Sequence, residues 1–356
     1  YLNNPSQISQ RITLSDKASM QSKEQSMAKP SLRTLKDSVK RGRVDAVKQH
    51  LESDPPELSP TSLLRLVTND YHSIKKTPQH QELAEYLIGK GAKIDQEMIY
   101  QVSRAGSQDL MDLLSQARGT IDVFHAASGG FISVLEEKLK GDQEIASACD
   151  ESGRTALHYC SASALGKGDE AVASGLKRVA SLLLEYGAPS NAEAPCGGLE
   201  KITPLEHACW TGGSAEIFHL LLKHGAEPTE RSLCAALGHY QRHGDGHYAL
   251  ASSLLSIGLN VNAGEKRKLL HAFAAHEDVR GVKWLIDHGA DVDARDVDGR
   301  TPLHLVARRN RGTSVAQALL QAGAHRSALD KSGATPMDLA IQKGRDKLVA
   351  LLEMNA

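Results

Sequence analysis

The chain has 356 residues, 40% hydrophobic and 4% aromatic, and a net charge of −1. That apolar content supports a folded body, and the near-neutral balance gives no overall pull toward nucleic acid or membrane. No apolar run approaches the roughly 20 residues that span a bilayer, and residues 1–30 lack an apolar signal core. The dispersed cysteines Cys149, Cys160, Cys196, Cys209 and Cys234 read as reduced thiols.

Residues 1–30 are rich in Ser and Gln, which predicts a flexible polar arm. The chain opens on Tyr1 rather than Met, as a piece of a longer polypeptide or a processed product would. From Ser31 a helical period returns in Leu32, Leu35 and Val39, then in Val44, Val47 and Leu51, and predicts a polar capping helix pair. Residues 63–66 with 83–88, residues 99–114, and residues 124–127 with 134–139 predict further degenerate pairs. Together these fill residues 31–149.

From Asp150 a phrase repeats more clearly, through to Ala356. Thr155-Ala156-Leu157-His158 is followed by Leu183-Leu184 and Gly187-Ala188, and Thr203-Pro204-Leu205-Glu206 by Leu221-Leu222 and Gly225-Ala226. Leu270-His271-Ala272 precedes Gly289-Ala290, and Thr301-Pro302-Leu303-His304 precedes Leu319-Leu320 and Gly323-Ala324. The phrase begins again at Thr335-Pro336-Met337 and closes on Leu351-Leu352 without a following Gly-Ala, as a C-terminal cap would. Each residue type answers a local need. The Thr hydroxyls cap helix starts and the prolines take the first helical position, where no donor is lost. The Leu pairs form the buried ridge of a second helix, and the glycines stop it in a left-handed conformation. Asp296-Val297-Asp298-Gly299-Arg300 and Asp330-Lys331-Ser332-Gly333 have the composition of tight turns.

A period near 33 residues with this start and this end resembles the ankyrin repeat. The resemblance implies an all-α solenoid of about ten helix-turn-helix units joined by β-hairpin-like fingers, each unit stable only by stacking on its neighbours. It implies that His158, His271 and His304 hydrogen-bond neighbouring backbone. Three insertions interrupt the pattern, at residues 163–175, 192–200 and 239–247, and insertions of this kind map to exposed edges that serve binding. Asn191 and Asn262 stand where asparagines of such repeats can be hydroxylated, and a turn-forming role is the simpler reading.

No catalytic motif emerges. His239, His243 and His247 have zinc-like spacing, but Gly244 and Gly246 break the helix that would align them, so no metal and no cofactor are expected. His207 and Cys209 lie two apart on a helix and point away from each other. The resemblance implies instead a non-catalytic, intracellular scaffold, cytoplasmic or nuclear, that binds a protein or peptide through the concave groove and finger tips. Carried over by position, that surface comprises Trp210, Thr211, His276, Arg308, Arg309, Gln342 and Lys343, with finger residues Arg154, Arg267, Asp298, Arg300 and Lys331. Its mostly basic character fits an acidic partner. A targeting or substrate-recruitment module of a larger enzyme or receptor is the alternative. No membrane and no small-molecule substrate are expected, and nucleic acid is disfavoured by the near-zero net charge and the lack of aromatic stacking platforms.

Overall fold

The computed structural model describes residues 32–52, 58–69, 76–196, 199–211, 215–238, 247–262, 268–309 and 313–353. The arm expected over residues 1–30 lies outside them, as do His239, His243 and Arg267. The described residues form twenty α-helices in ten consecutive pairs. The chain divides into two compact units, Tyr1–Ile121 and Asp122–Ala356.

The first unit holds α1 (Leu32–Lys40), α2 (Val44–Glu52), α3 (Pro60–Thr68), α4 (Pro78–Gly89), α5 (Gln96–Ala105) and α6 (Gln108–Arg118). First helices stack on first helices, α1 on α3 and α3 on α5, and second on second, α2 on α4 and α4 on α6. The helical-period positions Leu35, Val39 and Val47 are fully buried there, as are Leu63, Leu64, Leu83 and Leu87. Thr77-Pro78 starts a second helix with the same chemistry as the later phrases. Thr77 Oγ1 meets His80 Nδ1 at 2.8 Å, and His80 Nε2 lies 3.0 Å from the Lys40 carbonyl of the preceding pair.

The second unit holds α7 (Val123–Gly129), α8 (Ile132–Gly141), a 3-10 turn (Gln143–Ala146), α9 (Ala156–Ala162), α10 (Glu170–Glu185), β1 (Ala194–Cys196), β2 (Leu199–Ile202), α11 (Pro204–Thr211), α12 (Ala215–Lys223), α13 (Glu230–Ala236), α14 (Tyr248–Ser256), α15 (Leu269–Ala275), α16 (Val279–Asp287), α17 (Pro302–Arg309), α18 (Ser314–Gln321), α19 (Pro336–Gln342) and α20 (Asp346–Glu353). First helices stack in the series α7, α9, α11, α13 and again in α15, α17, α19. The expected stops appear as Gly187, Gly225, Gly289 and Gly323, whose φ values of 80°, 80°, 84° and 92° are reached by glycine without a Cβ clash.

The insertion at residues 163–175 differs from the expected exposed edge. Ser163, Ala164 and Leu165 are buried, and residues 170–175 lengthen α10, which Asp169 caps by accepting from the amides of Ala171 and Val172 at 3.0 and 3.1 Å. Small residues let this extension meet α7 backbone to backbone: a Cβ on Gly175 would stand 2.7 Å from the Gly130 carbonyl oxygen. Ser163 Oγ donates to the Ser128 carbonyl at 2.8 Å and seals the contact. The insertion at residues 192–200 carries the antiparallel pair β1–β2, which lengthens a finger, with Ala194 opposite Ile202 and a 2.8 Å Glu193–Lys201 ion pair along its edge.

Candidate partner-binding surface

The groove register begins with the cap of each first helix. His158 and His304 close Thr155 and Thr301 through Nδ1 at 2.9 Å, while their Nε2 atoms reach the carbonyls of Ile202 and Ala334 in the following repeat at 3.0 and 3.1 Å. His271 reaches the Arg300 carbonyl at 2.8 Å. Where the phrase substitutes an acid, the same position still links repeats: buried Glu206 accepts from the Thr203 amide, the Thr229 hydroxyl and Arg231 Nη2, each at 3.0 Å. These bonds fix the rotation of each first helix, so their C-terminal ends fall in register.

On that register α17 packs between α15 and α19. His276, Arg309, Gln342 and Lys343 are exposed at the helix ends, and Arg308 is half-buried. Trp210 is half-buried at the end of α11, stacked on His207 with ring centroids 6.5 Å apart and planes 4° from parallel. Thr211 is buried, its hydroxyl donating to the carbonyls of Ser161 at 3.2 Å and His207 at 3.0 Å, so it ties α11 to α9 rather than facing a partner.

The fingers revise the expected tip residues. Arg154 has only 4% of its surface exposed: Nε lies 3.1 Å from Asp150 Oδ2, and the guanidinium sits 5.6 Å from the Tyr159 ring. The shared carboxylate, which also accepts from the Tyr159 hydroxyl at 2.7 Å, draws the arginine inward, so Arg154 is a structural finger residue. Arg300 pairs with Asp298 in its own finger and lies 3.5 Å from Asp330 of the next, which consumes most of its charge. Lys331 is exposed, and its amide donates to the Asp298 carbonyl at 3.0 Å. Asp150, Asp296 and Asp330 each fold their finger by accepting from the amides two and four residues on. The Ser332 hydroxyl above all, with these amides, holds the Asp330 carboxyl down to about 2.

Sequence reasoning missed an apolar component. Val297 and Leu329 stand on adjacent fingers and Ile341 at the end of α19, all more than half exposed. Arg295 stitches the two fingers by donating to the carbonyls of Gly299 at 2.9 Å and Leu329 at 2.6 Å. The available signal was an apolar residue next to a turn-forming Asp. Asn191 and Asn262 also bridge repeats, donating to the carbonyls of Gly225 and Gly289 and accepting from the amides of Glu227 and Asp291.

The imidazoles of His158 and His304 are engaged at both nitrogens, and burial pushes the thiols of Cys160 and Cys209 well above their ordinary value, away from the reactive thiolate. Among the described residues no cluster of His, Cys, Asp or Glu has metal-binding geometry, and no helix is long and apolar enough to cross a membrane.

Comparison with known proteins agrees with this architecture. The family model for ankyrin repeats matches residues 241–328 and 270–356. An ankyrin repeat protein of Rickettsia bellii is 28% identical over 173 residues, covering 48% of this chain and 21% of that protein. Alpha-latrocrustotoxin-Lt1a of Latrodectus tredecimguttatus is 26% identical over 122 residues, covering 32% of this chain. The chain therefore spans 8% and 21% of the lengths of these two relatives. The crystal structure of the ankyrin repeat domain of Bcl-3 superposes with a TM-score of 0.50 at 20% identity, covering 66% of this chain and 99% of that one. With its stacked helix pairs, capped first helices and turn fingers, the chain has an all-α solenoid fold like that of ankyrin repeat domains, and its residues 241–356 match the ankyrin repeat family.

Proposed function

We propose that the second unit is a non-catalytic scaffold that binds an acidic protein or peptide segment along the ends of its first helices. The observation that carries this reading is the in-register run of His276, Arg308, Arg309 and Lys343 over three stacked helices. Trp210 at the end of α11, Val297 and Leu329 on the fingers and Ile341 at the end of α19 supply the apolar anchors that a charged strip needs for tight binding. Lys331 extends the positive side onto the fingers, where Asp298 and Arg300 largely neutralise each other. The free thiols Cys149, Cys160, Cys209 and Cys234 support an intracellular setting, cytoplasmic or nuclear.

The short share of the relatives' lengths favours a second reading, in which this scaffold recruits substrates or targets for a larger polypeptide. A longer reading frame containing catalytic motifs would support it.

The test is affinity capture from lysate with the intact gene product, followed by binding kinetics of the captured protein to an Arg308→Glu/Arg309→Glu variant. Helical content should be unchanged, while association slows and loses its usual weakening by salt. A captured protein that binds the variant at the parent rate and affinity removes the groove from consideration.

A further inference from the structure

The near-zero net charge conceals a segregation along the chain. Residues 1–48 hold ten Lys and Arg against four Asp and Glu, and residues 49–356 hold 32 against 39. The described part of the positive segment is α1, the following turn and the start of α2, in the first unit. Arg33, Lys36, Arg41 and Arg43 are exposed, and Lys40 and Lys48 are half-buried. Two of these cations have acid partners, Arg41 with Asp37 at 3.1 Å and Lys48 with Glu82 at 3.8 Å. Among the described residues no acid pairs with Arg33, Lys36 or Arg43. Arg33 and Lys36 fall at i and i+3 on α1, whose Leu35 and Val39 are fully buried against its neighbours, and Arg43 lies in the turn that follows.

We propose that the exposed face of α1 and the turn to Arg43 is a second docking surface, separate from the groove, and that it binds the phosphate backbone of duplex nucleic acid without reading its sequence. The kind of partner follows from what this face offers and what it lacks. Its exposed side chains are cations, Thr34 and Asp37, with no exposed apolar anchor among the described residues. A tight protein interface needs buried aromatic or aliphatic contacts at its centre, and stable attachment to a bilayer needs apolar insertion beside the charge. Binding to a phosphate backbone needs neither, because counterion release supplies the affinity. Single strands are recognised by stacking bases on aromatic rings, and α1 presents none. Arginine forks suit phosphate oxygens, and bonds to the backbone position a protein without specifying sequence.

The test uses the full chain and a fluorescently labelled mixed-sequence DNA duplex, with anisotropy read from about 50 mM to about 200 mM salt. Phosphatidylserine vesicles and a polyglutamate peptide serve as comparison ligands. The duplex should bind at low salt and release steeply as salt rises. Arg33→Gln/Lys36→Gln/Arg43→Gln should weaken binding by at least about tenfold and lower the log–log salt slope by about three, one for each cation that no longer neutralises a phosphate. The Arg308→Glu/Arg309→Glu variant should bind the duplex as the parent does, which separates this surface from the groove. Circular dichroism confirms that each variant is folded, and Arg33→Lys/Arg43→Lys, which keeps the charge, should retain most of the affinity. The proposal is overturned by absence of duplex binding at low salt, by a Gln variant with parental affinity and slope, or by tighter binding to the vesicles or the peptide than to the duplex.

Discussion

His158 spans from its own helix cap to the carbonyl oxygen of Ile202, 44 residues along the chain, at 3.0 Å. The imidazole is fully buried and satisfied at both nitrogens, so the phrase residue that starts one helix also fastens the next finger to it. Its repetition at His271 and His304 makes the link a property of the repeat rather than of one site.

This strap predicts an acid-labile fold. Burial is the largest cause that lowers His158 from 6.5 to about 4, with its backbone bonds opposing, and it likewise lowers His304 and His80. The folded state keeps these rings neutral while the unfolded chain takes up protons below pH 6.5. Stability is therefore fully present above pH 6.5 and declines as pH falls toward 4, with His158 alone contributing up to about 3 kcal/mol of the loss. Denaturant titrations between those pH values should show the decline, and His158→Gln should flatten it. Equal midpoints at pH 6.5 and pH 4, or an undiminished slope in the variant, would refute the assignment.

Glu277 is the one non-glycine with positive φ among the described residues, at 61°, and it follows the C-cap of α15 where Gly344 at 62° follows that of α19. A side chain in the left-handed region costs on the order of 1 kcal/mol. Glu277→Gly should therefore raise unfolding stability by about that amount. A variant that is less stable than the parent would mean that the side chain's own contacts outweigh the backbone strain.

The junction of α10 with α7 predicts an opposite response to two similar substitutions. A Cβ at Gly175 would sit 2.7 Å from the Gly130 carbonyl oxygen, whereas one at Gly141 meets nothing within 4 Å. Gly175→Ala should destabilise by about 1–3 kcal/mol through forced separation of backbones, and Gly141→Ala should be neutral or stabilising by up to about 1 kcal/mol. Thermal melts of both variants decide it; a Gly175→Ala protein as stable as Gly141→Ala would show the close approach to be inessential.

Much of the fold was legible because its signals are local. Thr-Pro starts, Leu pairs and Gly stops report on one helix each, and they located the helix pairs of the second unit and the straps of His158, His271 and His304. What escaped depends on a distant partner. Thr77-Pro78-Gln79-His80 is the same phrase, but it starts a second helix and sends its imidazole backward to Lys40, a reversal visible only once α1 is packed. Arg154 carries the residue type of an exposed tip, and its burial follows from Asp150 and Tyr159 converging on one carboxylate. Residues 163–175 lack an apolar period, so their helical part was signalled only by the Asp169 cap and the small residues that touch Gly130.

In a repeat stack each unit is held by its own core and by bonds to its neighbours, so local opening is most frequent where the neighbour bonds are fewest. Over residues 262–340 those bonds are dense: Asn262 to Gly289 and Asp291, His271 to Arg300, Asp293 to His325, Arg300 to Asp330, Lys331 to Asp298, and His304 to Ala334. Over residues 31–119 the described links between successive pairs are fewer: His80 to Lys40, Lys48 to Glu82, Arg65 to Asp95 and Lys93 to Thr61. Arg65 and Lys48 are surface pairs, which contribute roughly 0–1 kcal/mol each. Amide hydrogen exchange should therefore be faster through residues 31–119 than through residues 262–340, and His304→Ala should raise exchange at Ala334 and its neighbours before it affects α3 or α5. Uniform protection along the chain, or a His304→Ala effect spread evenly over both units, would show that the links between repeats do not set the order of opening.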